Sequence, residues 1–72
     1  MNTKKLFWIF PDYPNIKPDS KTSELSLQHL MPKSTKEERD ETIEEYIGLD
    51  IIELCKNNEY KITPKGWDLW SN

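Results

Sequence analysis

Apolar residues fall into a few short clusters separated by polar or proline-rich stretches. The first is Leu6–Phe10, five consecutive apolar residues closed by Pro11. Its length and aromatic content favour a buried strand over a helix, with a helical turn as the alternative. The next stretch, PDYPNIKPDSKT, carries Pro11, Pro14 and Pro18. Proline fixes φ and lacks the amide donor, so this segment reads as a loop or extended arm, with Tyr13 and Ile16 placed to pin it to the body. Ser23 then offers an N-cap for a short helix through SELSLQHLM, stopped at Pro32. Leu27, Leu30 and Met31 share a face there, and Leu25 sits apart.

A second helix start follows at once. Ser34 with Glu37 three residues on reads as a capping box, and Lys36–Tyr46 is rich in helix formers. Ile43, Tyr46 and Ile47 make its apolar stripe, opposite most of the acids. Beyond Gly48 the pattern admits two readings. A continuing helix aligns Ile43, Ile47, Ile51 and Leu54 on one seam, whereas a break at Gly48 or Asp50 opens a strand at Ile51. Tyr60 and Ile62 alternate with Lys61 and Thr63 as a half-exposed strand does, which favours strand–turn–strand across Asn57–Asn58. Asn tolerates the positive φ that such a turn needs. Thr63 then caps a last helix, with Pro64 at its first position and Trp67–Trp70 within it.

The stretch EEYIGLDIIELCKNNEYKITPKGWDLW, residues 44–70, resembles the close of a winged helix-turn-helix domain. The resemblance rests on Tyr60, Lys61, Ile62, Thr63, Pro64, Lys65 and Gly66 followed by Trp67–Trp70. It implies a small α+β, winged-helix-like domain: a helix-turn-helix, a two-stranded wing and a short C-terminal helix, after an N-terminal strand-like segment. The whole chain, 1–72, is then one domain. Residues 1–22 are the strand and Pro-rich arm, 23–47 the helix-turn-helix, 50–63 the wing hairpin and 64–71 the terminal helix. The family's first helix has no counterpart in this reading, because KKLFWIFPDYP reads as a strand stopped by proline.

Composition narrows the functional classes. With 72 residues and 35% apolar content the chain encloses one core and not two. Its longest apolar run is too short to span a membrane or to form a signal core. A single cysteine, Cys55, precludes an internal disulfide and fits a reducing, cytoplasmic setting. Neither Ala nor Val occurs, and Lys, Asn, Ile and Glu are plentiful. Ala and Val codons begin with G, so this bias points to an AT-rich coding sequence and suggests a low-GC bacterium or a phage of one.

Charge is unevenly placed on a chain of net charge −3. The acids concentrate in Glu37, Glu38, Asp40, Glu41, Glu44 and Glu45, where a DNA-binding member would present Lys, Arg, Asn, Gln or Ser to the major groove. These carboxylates repel phosphate, so the leading expectation is a module that meets a protein partner with a basic surface. Such surfaces are common on nucleic-acid machinery, which makes a regulator or inhibitor of a host machine the expected role, of anti-CRISPR or polymerase-binding type. Tyr13, Trp67 and Trp70 are either core residues or aromatic anchors for that partner. The alternative is a winged-helix DNA-binding regulator, with Lys36, Arg39, Lys61 and Lys65 as the contacts. A blander reading is assembly with itself or with a larger complex.

Catalysis has thin support. His29 and Cys55 are the only candidates for a nucleophile pair, carboxylates spaced like Glu37 and Glu41 are ordinary on a solvated helix, and no glycine-rich phosphate loop exists. No enzymatic activity, cofactor or metal is expected.

Overall fold

The computed structural model describes residues 3–72; residues 1 and 2 of the predicted N-terminal segment lie outside it. A 3-10 helix, Thr3–Ile9, opens the chain. It is followed by strand β1 (Lys21–Ser23), helix α1 (Glu24–Leu30), helix α2 (Lys36–Gly48), strands β2 (Ile52–Leu54) and β3 (Glu59–Ile62), and helix α3 (Pro64–Ser71). The strands form one antiparallel sheet in the order β1-β3-β2. This is an α+β domain whose arrangement is consistent with a helix-turn-helix pair, a two-stranded wing and a short terminal helix.

Two features depart from the sequence reading. The segment expected as an N-terminal strand is the 3-10 helix. With three residues per turn, positions i and i+3 eclipse, so Phe7 and Phe10 stack on one side with ring centroids 6.1 Å apart. Phe7, Ile9 and Phe10 are all fully buried. A run that is apolar on every side carries no period, and packing against α1 and α3 decides its shape. The sheet's first strand lies instead at Lys21–Ser23, in the stretch read as arm and cap. Its Thr22 is buried, and the Thr22 hydroxyl donates to the Ile9 carbonyl at 2.6 Å, joining the strand to the 3-10 helix.

The helix starts are built by side-chain caps. Ser23 Oγ accepts from the Ser26 amide at 3.1 Å at the start of α1. At α2 the cap is Thr35 and its reciprocal partner Glu38, one residue later than the expected Ser34–Glu37 pair. Ser34 is occupied elsewhere, because its hydroxyl donates to the Met31 carbonyl at 2.6 Å and closes the turn between the helices. Of the faces read from sequence, Leu27, Ile43 and Tyr46 are buried, while Leu30 and Ile47 remain exposed.

The ambiguity after Gly48 resolves as strand–turn–strand. Helix α2 ends at Gly48, and Asp50 turns the chain with φ of 60°. Asn57 and Asn58 have φ of 57° and 60°, the left-handed pair that a two-residue hairpin turn of type I′ requires. The register pairs Ile52 with Ile62, Glu53 with Lys61 and Leu54 with Tyr60. Helix α3 begins as expected: Thr63 Oγ1 accepts from the Gly66 amide at 2.9 Å, with Pro64 at the first helical position. The same hydroxyl donates to the Asp50 carbonyl, so one side chain ties the end of the α2–β2 turn to the start of α3.

Candidate functional site

Two surfaces carry the residues singled out from sequence. The first is α2. Glu37, Glu41, Glu44 and Glu45 are exposed and have no basic partner among the described residues. Glu38 is exposed but serves the capping box, and Asp40 pairs with Lys36 at 3.0 Å. Lys36 is exposed and Asp40 half-buried, and Asp40, by hydrogen bond and charge, holds the Lys36 ammonium above its usual pKa range.

Glu37, Glu41 and Glu45 follow one another at four-residue spacing, so they form a single ridge. Like charges at that spacing destabilise a helix by roughly 0.2–0.5 kcal/mol per pair. The last turn of α2 holds no basic residue, and Glu45 there opposes the helix dipole. Glu37, in the first turn, complements that dipole, so the cost to the helix comes from the repulsion along the ridge and from Glu45.

Arg39 shares α2 but faces the other way. It is only 8% exposed. Its Nη1 donates to the Ser34 carbonyl at 2.8 Å and to Ser34 Oγ at 3.1 Å, and its Nη2 lies 3.5 Å from Glu24 Oε1. Its Nε has no hydrogen-bond partner among the described residues. The guanidinium clamps the α1–α2 turn to α1 and is not presented outward.

The second surface is the wing and its junction with α3. Lys65 is exposed and Lys61 half-buried. Trp67 is half-buried and lines a groove of about 330 Å³ with Pro18, Glu53, Lys61, Ile62 and Pro64. Trp70 is half-buried in a different setting. Its ring packs edge-on against Phe7 at 5.3 Å and Tyr13 at 6.1 Å, and Lys4 Nζ lies 5.3 Å from its centroid. Tyr13, though exposed, is part of that cluster, so it and Trp70 fasten the arm and the N-terminal helix to α3.

Glu53 and Pro18 were not singled out from sequence. The hairpin alone did not give Glu53 away: counting outward from Asn57–Asn58 sets it opposite Ile62, whereas the observed register is one residue over and pairs it with Lys61. Pro18 reaches the groove only through the tertiary path of the arm, which no local pattern encodes.

Among the described residues no group of three or more His, Cys, Asp or Glu is placed to hold a metal ion. No hydrogen bond joins His29, in the last turn of α1, to Cys55, just after β2. No helix among them is long and apolar enough to cross a membrane. No protein-family model, curated protein or solved structure matches the chain.

Proposed function

We infer that this chain is a winged-helix-like protein that acts in the cytoplasm by binding another protein, using the exposed acidic ridge of α2 against a basic surface. The observation that carries the reading is this acidic face: the Glu37–Glu41–Glu45 ridge and the adjacent Glu44 stand exposed and without a basic partner among the described residues, with repulsion along the ridge, on the helix that follows the turn of the helix-turn-helix pair. Concentrated charge of one sign steers association and makes it fast and salt-sensitive. A partner with a basic face is typical of nucleic-acid machinery. The function that follows is regulation or inhibition of such a machine, as a phage-encoded anti-defence protein or a polymerase-binding regulator.

The burial of Arg39 also weighs against the DNA-binding alternative, since it withdraws the one guanidinium of α2 from any base edge. Lys61 and Lys65 of the wing remain the basis of that second reading.

The test replaces Glu37, Glu41, Glu44 and Glu45 together with Gln and compares capture of host proteins by the tagged variant and the wild type at roughly 150 mM salt. We expect the variant to stay folded, with equal or higher thermal stability, and to lose the captured partner. A partner retained at unchanged yield overturns the role of this face.

A further inference from the structure

We propose that the groove between the wing and α3 binds a guanine base carried by a phosphorylated nucleotide. This inference is independent of the acidic ridge of α2 and involves none of its residues. Trp67 lines the groove, with Pro18, Pro64 and Ile62 adding apolar surface. The volume, about 330 Å³, lies at the small end of ligand sites and suits one planar group. Nucleobases stack on aromatic side chains in this way, with their polar edges left to read.

The polar groups on the groove select among bases. Glu53 and Lys61 are direct cross-strand partners, and both line the groove. A carboxylate accepts from two adjacent N–H groups, and guanine offers these at N1 and N2. An ammonium donates to acceptors, and guanine offers O6 and N7 on the adjoining edge. Adenine lacks the paired donors, so the carboxylate discriminates against it.

A separate observation supplies the phosphate. Lys21 stands directly opposite Lys61 on the other side of β3. Like charges so placed destabilise a sheet. Neither ammonium is ion-paired with a carboxylate among the described residues, and Glu53 offers one negative charge for the two. An anion beside this row offsets the repulsion. The strand residues that cost stability are thus those a nucleotide would compensate.

The experiment titrates GMP, AMP and inorganic phosphate into the full chain, by calorimetry and by the shift of the Trp67 indole N–H resonance. We expect saturable GMP binding with Kd below about 1 mM. AMP should bind about tenfold more weakly, and phosphate alone should not saturate. Glu53→Gln should weaken GMP about tenfold and leave AMP no weaker than in the wild type. Trp67→Ala should weaken both by about tenfold or more. Glu53 is exposed, so its variant keeps the test decisive if the tryptophan variant fails to fold.

A short oligouridylate with one central guanosine distinguishes the source of the base. Tighter binding of the oligomer than of GMP assigns the slot to single-stranded RNA, and the reverse assigns it to the free nucleotide. Absence of saturable GMP or oligomer binding, equal affinity for AMP, or full competition by phosphate overturns the proposal.

Discussion

Gly66 packs against the backbone of Ile51, just before β2, and against Ile62 of β3, and adding one methyl group there should unsettle the fold. A Cβ on Gly66 would lie 2.6 Å from the Ile51 carbonyl oxygen, 3.0 Å from Ile62 Cγ1 and 3.3 Å from the Ile51 carbonyl carbon. The first distance is about 0.8 Å short of ordinary contact, which begins near 3.4 Å. The obstacle is backbone, and it cannot swing aside like a side chain. The same Ile51 oxygen accepts from the Thr63 amide at 2.9 Å, so displacing it also strains a bond that closes the hairpin.

Overpacking of this kind costs about 1–3 kcal/mol, and a weakened hydrogen bond adds about 1 kcal/mol. The greater helix propensity of Ala returns about 1 kcal/mol. The net destabilisation is about 1–3 kcal/mol, or a fall in Tm of roughly 5–20 °C for a domain of this size.

Gly48 is the matched control. Nothing lies within 4 Å of a Cβ there, and its φ is not positive. Gly48→Ala should therefore stabilise by about 0.5–1 kcal/mol, through helix propensity and a less flexible unfolded chain. Both variants alter the unfolded state alike, so the difference between them isolates the clash. Thermal melts followed by circular dichroism at 222 nm read both. A Tm for Gly66→Ala at or above wild type, or shifts of the same sign in both variants, would refute the close-approach argument.

Two further predictions follow from the junctions of the fold. Thr63→Val removes both the cap of α3 and the tie to the Asp50 carbonyl while keeping the side-chain volume; it should cost about 1–2 kcal/mol, seen as a lower denaturant midpoint with unchanged slope. Burial raises the Tyr46 hydroxyl above its usual pKa of 10.0, with the neighbouring Glu45 charge adding to the shift and the Trp8 side chain partly opposing it. Because the folded state holds this proton more tightly than the unfolded state, its contribution is complete below pH 10 and is lost as pH rises through the folded value. Wild type should thus lose Tm more steeply above pH 10 than Tyr46→Phe, and equal slopes would count against that linkage.

Much of the fold was legible in the sequence where local chemistry is strong. The Asn57–Asn58 turn and the Thr63–Pro64 helix start each have a mechanism confined to a few residues, and both appear in the structure. Strand β3 forms where expected, but its burial does not alternate: Tyr60 and Lys61 are alike half-buried, and Thr63 is buried by its cap and its tie to Asp50. The failures share a different cause. Leu6–Phe10 is apolar on all sides, so its period is silent and tertiary packing selects a 3-10 helix. Strand β1 is Lys-Thr-Ser, with no apolar signature, and exists because its backbone pairs with β3.

At the sites, the exposure of the α2 carboxylates followed from helical spacing, since Ile43 and Tyr46 mark the opposite face. The inward turn of Arg39 did not, because it depends on Ser34 and on Glu24 from another helix. The Trp67 groove needed the arm to bring Pro18 beside the wing.

The most direct test of the functional reading is a titration of a labelled mixed-sequence DNA duplex at about 50 mM salt, where electrostatic attraction to phosphate is strongest. With an acidic ridge on α2 and Arg39 turned inward, we expect no binding up to roughly 100 µM protein, well above the nonspecific affinities of DNA-binding domains at low salt. Micromolar binding that weakens steeply with added salt would contradict the protein-binding assignment and place the wing lysines on DNA.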